Sequence, residues 1–376
     1  MDKEIKSLTG IRGIAALWVV FLHYYETLSF SKDTYINNLL FSKALIAVDM
    51  FFLLSAIVMC IAYAGEFQKA ISKHSYINFM KKRFARIYPA YFFWSFMFLL
   101  VFDFSKFKFD FSKILVNLLL LQNLFTDSVI SIVFWSLCAE WIMYLIFPFL
   151  FSVISNARVG LINVLLIIVS IIGFYYLPSM NNYLLDLNKG LSVVHPTGNV
   201  VIVKGVNSVI RCFFAYLIGI NLFFLIKSYY NFIANYWIKV LKYFAIGSSF
   251  MIPIFGISAE MYVCLFVCSI ILICVLYLEN DNKDPFFASN LIYFLGQISY
   301  SIYLCHMFIL IFASVLVKTF FPLHYNNSIQ IYLVIGSLVF LIPISYLSYK
   351  FTEVKTGLWL KSKLVPKLSG RDLRIT

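Results

Sequence analysis

Apolar runs of about the length of a membrane-spanning helix recur along the whole chain. Eleven such segments lie near residues 10–30, 44–64, 87–102, 112–125, 134–154, 159–178, 206–226, 237–256, 259–278, 291–317 and 329–350. A helix needs about 20 predominantly apolar residues to cross the hydrocarbon core of a bilayer. The pattern therefore predicts an all-α fold, a polytopic integral membrane helix bundle without room for a separate soluble domain.

The distribution of lysine and arginine predicts how this bundle is oriented. Basic residues concentrate at the head of the chain, in the loop after the second segment and in the tail. Cytoplasmic loops are enriched in Lys and Arg, so we expect all three regions in the cytoplasm. Eleven crossings would place the tail outside. We therefore predict about ten crossings, with the shortest segment, 112–125, entering the membrane and returning; such a segment indicates a cavity nearby.

Composition supports the membrane assignment and excludes other classes. Of the 376 residues, 62% are hydrophobic and only 12% are charged, whereas soluble domains are about one-quarter charged. The net charge of +13 lies mostly between apolar runs, where it sets orientation, so we expect no nucleic-acid partner. The seven cysteines lie inside apolar runs without metal-ligand spacing, and we expect no metal.

The first segment contains the stretch GIRGIAALWVVFLHYY, which carries two ionisable residues, Arg12 and His23. On an ideal helix they lie about 20° apart around the axis and roughly 16 Å apart along it, hence on one face. Because such residues are costly in lipid, they indicate function. The alternative is an arginine that reaches the membrane surface and a histidine bonded to a neighbouring helix.

Two further stretches place charge near or within apolar segments. Asp49, in the second segment, either pairs with a nearby arginine or histidine or takes part in catalysis. Arg83 and Arg86 are spaced as neighbours on one helical face, and Pro89 suits the first turn of the segment that follows them. The two arginines either mark the cytoplasmic side or clamp the phosphates of coenzyme A.

Glu140 enters an otherwise apolar segment between Trp135 and Trp141. The tryptophans are typical of a membrane interface, but the glutamate is not. Glu140 is the best candidate to orient His23 or to contact an acceptor hydroxyl. Arg211 is expected in the outer half of its segment, as are His23, Asp49 and Glu140.

The segment at 291–317 carries Ser299, Tyr303 and His306. Ser299 and His306 are seven positions apart and so lie nearly on one helical face. Such a set is typical either of a hydrogen-bond network between helices or of a site.

Five stretches, taken in order, resemble the membrane-bound acyltransferase family 3, bacterial integral-membrane O-acyltransferases that modify cell-surface glycans. They are LTGIRGIAALWVVFLH, VDMFFLLSAIVM, RFARIYP, WSLCAEW and ISYSIYLCH. The tail SYKFTEVKTGLWL resembles the closing segment of the family around a glutamate, here Glu353. Each stretch is a loose motif, but the ordered set is specific and covers the chain nearly end to end.

The resemblance implies a role for each matched residue. His23 occupies the position of the family's essential histidine, and Arg12 that of the arginine before it. Arg83 and Arg86 match the cytoplasmic motif associated with the acyl donor. The glutamate of the tryptophan-serine-leucine motif corresponds to Glu140.

Three further points follow from the resemblance. His306 matches the family's late histidine. The second motif usually reads leucine-serine-glycine but ends here in Ala56, so we expect a slight change in helix packing or donor fit. Some members carry a C-terminal hydrolase-like domain, and we expect none here: one transmembrane acyltransferase domain over 1–376, with a core at 5–355 and a basic cytoplasmic tail at 356–376.

These observations lead to the hypothesis of an O-acetyltransferase. It would use cytoplasmic acetyl-CoA as co-substrate, held by Arg12, Arg83 and Arg86, and a sugar hydroxyl of a lipid-linked or polymeric surface glycan, such as O-antigen lipopolysaccharide or capsule. His23 would be the general base, oriented by Glu140 or Asp49; a covalent acyl relay through His23 or a serine is the alternative. Residues expected to bind or support substrate are His306, Tyr303, Ser299, Arg211 and Trp135.

Two other functions are compatible with the pattern. Charges in mid-membrane and a broken span are also found in transporters and flippases without acyl chemistry. A succinyl group could replace acetyl on the same fold. In each case we expect a multi-pass protein of the bacterial inner membrane with both termini in the cytoplasm, in contact with membrane lipid.

Overall fold

The computed structural model describes residues 4–26, 28, 34–68, 71–103, 111–125, 129–156, 160–184, 205–229, 235–255, 258–279, 284–320 and 327–364. Within these ranges the chain is helical and forms no strand. The helices are α1 (Lys6–Glu26), α2 (Thr34–Phe67), α3 (Lys73–Phe98), α4 (Phe111–Leu118), α5 (Gln122–Phe125), α6 (Trp135–Asn156), α7 (Leu161–Leu184), α8 (Gly205–Tyr229), α9 (Asn235–Met251), α10 (Ala259–Glu279), α11 (Asn290–Gln297), α12 (Ser299–Phe320), α13 (Asn327–Ser348) and α14 (Gly357–Leu364). π-Helical turns extend α3 over Leu99–Asp103 and join α13 to α14 over Tyr349–Thr356.

The described helices confirm the polytopic membrane bundle. Nine of the described helical runs are long and apolar enough to cross a membrane, and the apolar stretch Leu161–Leu177 of α7 is a shorter tenth candidate. These ten correspond to the ten predicted crossings. The remaining segment, 112–125, forms the two short helices α4 and α5, neither of which is long enough to cross. Residues 365–376 of the predicted tail lie outside the described residues.

The predicted start of the third span is wrong. α3 begins at Lys73, so Arg83 and Arg86 lie inside a helix and not in the preceding loop, and Pro89 lies in its interior and not in its first turn. The helix starts early because Ser72 caps it through a reciprocal pair of hydrogen bonds with the residue three positions on. The two arginines therefore project from a rigid element.

The predicted span at 291–317 consists of two helices that meet at Ile298. The hydroxyl of Ser299 donates to the carbonyl of Gly296 at 2.7 Å, a local bond that competes with helix continuation. A Cβ on Gly296 would lie 2.0 Å from the carbonyl oxygen of Thr9, and one on Gly13 would lie 2.6 Å from the backbone nitrogen of Gly296. The break thus lets α11 lie directly against the start of α1.

The core is built around α1, α2, α8 and α12. α1 packs on α2, α11 and α12, while α8 packs on α2, α6 and α7. Many large apolar side chains on the outer helices are exposed, for example Phe92, Val153 and Phe244. An apolar exterior around a polar-containing core is typical of a helix bundle in lipid.

Candidate active site

Two of the predicted residues meet as a pair of imidazoles. His23 of α1 and His306 of α12 approach each other with Nδ1 of His23 3.1 Å from Nε2 of His306, and their ring centroids are 5.2 Å apart. His306 is fully buried, whereas His23 is half-buried. The hydroxyl of Tyr24 donates to the backbone carbonyl of His306 at 3.3 Å, which ties α1 to α12 beside the pair.

The hydrogen-bond pattern assigns the protons of both rings. Nδ1 of His306 lies 2.8 Å from the carbonyl oxygen of Tyr303, and a carbonyl only accepts, so this nitrogen carries hydrogen. Nε2 of neutral His306 must then accept, and the hydrogen in the contact between the rings belongs to Nδ1 of His23. The lone pair of neutral His23 is therefore on Nε2, the nitrogen able to act as a base.

Glu140 ends an oriented chain of hydroxyl groups. Tyr144 donates to Oε1 of Glu140 at 2.6 Å. Because its proton is used there, Tyr144 accepts from Ser55 at 3.3 Å, and Ser55 in turn accepts from Tyr216 at 2.9 Å. The chain links α2, α6 and α8, and it leaves Glu140 a pure acceptor.

Arg83 lies beside this chain in an aromatic cage. Its Nη2 donates to the hydroxyl of Tyr63 at 2.8 Å, and its guanidinium carbon is 5.1 Å from the ring centroid of Tyr63 and 5.8 Å from those of Phe79 and Tyr144. Aromatic faces attract a cation without neutralising its charge. In the described part of the chain, no carboxylate comes within 4.0 Å of Arg83.

Arg86 forms a long salt bridge with an acidic residue on the π-helical turn between α13 and α14. Its Nη1 is 3.4 Å from Oε2 of Glu353. The other oxygen of Glu353 accepts from Ser301 at 2.7 Å, and Ser301 contacts Ser348, which accepts from the indole of Trp94 at 3.0 Å. Glu353 is buried on the π-helical turn, while nearly half of the Arg86 side chain is exposed. The network fixes the carboxylate and leaves the arginine accessible.

Arg12 lies among these groups without a direct bond. The side-chain charges that act on it are Arg86, which repels it, and Glu140 and Glu353, which attract it. Among the described residues it makes no hydrogen bond and no ion pair within 4.0 Å. Arg83 and Arg86 lie three positions apart on α3, and Arg86 repels Arg12. We call these three arginines the cationic cluster. Among the described residues the cluster makes one salt bridge, and it is suited to an anionic ligand.

The comparisons with known proteins agree with the motifs. A model of the acyltransferase domain family matches residues 5–350. The chain belongs to acyltransferase family 3. A curated relative, protein 2 in the picA locus of Rhizobium radiobacter, is 37% identical over 84 residues, which are 22% of this chain and 38% of the relative; the match spans less than half of that protein. No solved structure matches the chain.

Asp49 of this acyltransferase pairs with Arg211 and not with His23. The two make a bidentate pair, Nε to Oδ1 at 2.7 Å and Nη2 to Oδ2 at 2.8 Å, and the hydroxyl of Tyr262 donates to the same carboxylate. Both charged side chains are buried, and the guanidinium lies 5.8 Å from the ring of Trp135. Of the two alternatives for Asp49, this geometry favours the buried pair, which joins α2, α8 and α10.

Of the other predicted residues of the acyltransferase, Tyr303 contacts His306, whereas Ser299 has a local backbone role. The hydroxyl of Tyr303 donates to the carbonyl of Val133 at 2.8 Å and accepts from Ser136 at 2.8 Å. This locks the backbone whose carbonyl holds His306. Ser299 lies at the break between α11 and α12, where its hydroxyl is bonded to backbone.

Sequence reasoning missed two features of the site. It assigned the orientation of His23 to Glu140 or Asp49, but among the described residues the side chain bonded to that imidazole is His306. It also gave no role to Glu353, although the closing motif around this residue was the available signal. Helix spacing reveals which residues share a face, not which helix lies opposite.

Proposed function

We propose that this membrane acyltransferase is an O-acetyltransferase. It transfers acetyl from cytoplasmic acetyl-CoA to a sugar hydroxyl of a surface polysaccharide, of the O-antigen, lipopolysaccharide or capsule type. The observation that carries the proposal is the imidazole pair, in which Nε2 of His23 is the free base, on the helix that also supplies Arg12 to the cationic cluster. Family membership favours this over a transporter without acyl chemistry.

The cationic cluster supports a phosphorylated donor. The cluster contains three guanidinium groups, and such groups bind phosphate through paired, charge-assisted hydrogen bonds. Coenzyme A carries several phosphates. An anion at this position would supply the hydrogen bonds that Arg12 does not make within the described residues and relieve its repulsion by Arg86.

The imidazole pair supports proton abstraction from an alcohol. Nε2 of His23 accepts the hydroxyl proton of the acceptor while the oxygen attacks the thioester carbonyl. The carbon–sulfur bond breaks, and the imidazolium returns the proton to the thiolate of coenzyme A, so that the base is regenerated. As His23 becomes positive, its Nδ1–H bond to His306 becomes charge-assisted and stronger, which stabilises the transition state.

The membrane arrangement gives the two substrates separate entrances. We place the protein in the bacterial inner membrane with both termini in the cytoplasm, the arginines towards the cytosolic donor and His23 towards the outer half, near the glycan. The basic head, the basic stretch from 69 to 86 and the basic tail support this orientation.

The test is His23→Ala in membranes given radiolabelled acetyl-CoA. We expect label in the polysaccharide to fall by about 10²–10⁴-fold, the usual contribution of a positioned base. His74→Ala is the matched control, because His74 is an exposed histidine on α3 whose bonded partner is Asn78; it should transfer normally.

If His23→Ala, at an equal protein level, transfers label at the wild-type rate, His23 is not the general base. If polysaccharide in wild-type membranes takes up label from succinyl-CoA but not from acetyl-CoA, the donor is succinyl-CoA. Movement of glycan without label transfer would support a transporter.

A further inference from the structure

Helix α5 carries two buried amides that are bonded on one side alone. Nε2 of Gln122 donates to the carbonyl of Phe134 at 3.0 Å. Nδ2 of Asn123 donates to the carbonyl of Trp135 at 2.8 Å and to the hydroxyl of Ser208 at 2.8 Å. Gln122 is fully buried and Asn123 is 5% exposed. The non-crossing segment is thus held to the start of α6 by its amide nitrogens.

The orientation of both amides is fixed by their partners. Phe134 and Trp135 contribute carbonyls, which only accept, so the NH₂ groups must face them; a flipped amide would set oxygen against oxygen. Ser208 spends its own proton on the carbonyl of Gly205 at 2.7 Å, so it too accepts from Asn123. The amide oxygens Oε1 of Gln122 and Oδ1 of Asn123 therefore point away from α6.

These two oxygens are buried and lack a hydrogen-bond donor among the described residues. A buried acceptor without a donor costs free energy and needs an explanation, such as a bound group. The buried amide of Asn163 on α7 shows the ordinary arrangement: its Oδ1 accepts from the backbone of Gly160 at 3.0 Å, and its Nδ2 donates to Asn221 at 2.8 Å. At α5 the two amide oxygens lack donors among the described residues, and amide oxygens on adjacent residues are suited to accept hydrogen bonds from hydroxyl groups.

The amide pair is connected to the imidazole pair by a short route. The carbonyls that hold the amides belong to the two residues before Ser136. Ser136 is bonded to the hydroxyl of Tyr303, and the carbonyl of Tyr303 holds His306. α6 begins at Trp135, next to the two amides, and the sequence pattern places this end of α6 towards the outer leaflet. A ligand at the amides would therefore approach the base from the side opposite the arginines.

We propose that Gln122 and Asn123 form a hydroxyl-binding subsite for the acceptor. Their amide oxygens accept hydrogen bonds from hydroxyls of the sugar next to the one that is acylated. This rests on the proposed function, since it assigns the acceptor end of the same site. A site built to pair with a hydroxyl discriminates strongly against an analogue without it, because its own polar groups are then left unpaired.

The experiment compares Gln122→Met with wild type in purified, detergent-solubilised protein. Methionine keeps the length of the side chain but can neither accept the proposed bond nor donate to the carbonyl of Phe134, so controls for folding are needed. The acceptor probe is the producing strain's own polysaccharide, freed of acetyl by mild alkali and cut to oligosaccharides. We expect the acceptor KM to rise about tenfold or more, the donor KM to stay unchanged, and the oligosaccharide to raise the Tm of wild type more than that of the variant.

Two controls separate binding from folding. Asn163→Leu removes an equally buried but fully paired amide and should leave the acceptor KM unchanged. An O-methylated form of the same oligosaccharide, which has no hydroxyl donors, should give wild type and Gln122→Met the same small Tm shift. On wild type alone, the free oligosaccharide should raise the Tm more than its O-methylated form does, and this comparison holds even if the variant is less stable.

The results that would overturn the subsite are distinct from those that would overturn the reaction. An unchanged acceptor KM in Gln122→Met means that the amides bind water only. Equal Tm shifts from the free and O-methylated oligosaccharides in wild type contradict it as well. If wild type transfers no label but the free oligosaccharide alone still raises its Tm, and less so in the variant, the subsite stands and the proposed acetyl transfer fails.

Discussion

His306 is an uncharged partner for His23. In hydrolytic triads a carboxylate holds the catalytic imidazole and stabilises its protonated form. Here the orienting atom is a ring nitrogen whose own tautomer is set by the carbonyl of Tyr303 at 2.8 Å. Such a partner fixes the ring but gives no counter-charge, so only one of the two imidazoles is readily protonated at a time. We therefore expect His306 to act as a positioning residue.

Replacing His306 should affect turnover more than binding. We expect His306→Ala to lower kcat by roughly 10²-fold, the scale of a misplaced reacting group, with little change in either KM. His306→Gln should recover part of the loss, because an amide oxygen can accept from Nδ1 of His23. Initial rates against both substrates measure this.

Equal losses of kcat in the two variants of His306, together with equal losses of Tm, would show that the residue acts through folding. The positioning role would then be wrong.

Ala56 shows how this chain accommodates its departure from the usual second motif. Ala56 is fully buried, and a Cβ on Gly219 of α8 would lie 2.7 Å from the Cβ of Ala56 and 3.0 Å from the carbonyl oxygen of Leu53. Gly219 therefore supplies the room that a glycine at 56 would otherwise give. The methyl group changes which helix carries the small residue at this contact.

This contact predicts a reciprocal pair of substitutions. Gly219→Ala should destabilise the protein by about 1–3 kcal/mol through overpacking, read as a lower Tm in detergent. Adding Ala56→Gly should restore most of the loss, since it removes the methyl group in conflict. Additive effects of the two changes would contradict a direct contact.

At the scale of elements, an ionic clamp joins α9, α10 and the start of α11. Nζ of Lys242 lies 2.7 Å from Glu279 and 2.9 Å from Asp284. Asp284, in the loop before α11, also accepts from the backbone amides of Phe286 and Phe287. Burial alone would raise its pKa, but the hydrogen bond from Lys242 and those from the two amides outweigh it, and the pKa is lowered.

The clamp should weaken in acid. Because the pKa of Asp284 is lower folded than unfolded, its contribution is present above the ordinary value of about 3.9 and is lost as the pH falls through the folded value. We expect Asp284→Asn to cost roughly 1–3 kcal/mol at pH 7 and nothing once the wild-type carboxyl is protonated. Melting curves from pH 7 to pH 3 test this; a constant difference would contradict it.

The elements themselves were largely predictable, whereas their partners were not. Apolar length predicted the ten spans, and i,i+11 spacing placed Arg12 and His23 on one face of α1. The pairing of Asp49 with Arg211, 162 positions apart, depends on which helices are neighbours, and sequence periodicity carries no information on that. The early start of α3 was missed because a serine cap outweighed the loop-like charge of its first turns.

At the scale of the whole molecule, charge asymmetry predicts the orientation. A reporter tag fused to the C-terminus should be cleaved by protease in inverted inner-membrane vesicles and protected in intact spheroplasts, because the basic tail follows the positive-inside rule. A tag inserted between the end of α1 at Glu26 and the start of α2 at Thr34 should behave oppositely and serves as the matched control. Cleavage of the C-terminal tag in spheroplasts would reverse the topology and the proposed entrances.

The fit between α1 and the short helix before α12 has a mechanical consequence. No side-chain atom can be added at Gly10, Gly13 or Gly296 without overlapping facing backbone. The backbones of α1 and of the segment that contains α11 are therefore in direct contact, and such close packing opposes sliding of one along the other. A transporter that works by rigid-body movement of its domains needs interfaces along which packed helices can slide. The helix that carries His23 is instead held in place, which suits catalysis at a fixed position better than transport.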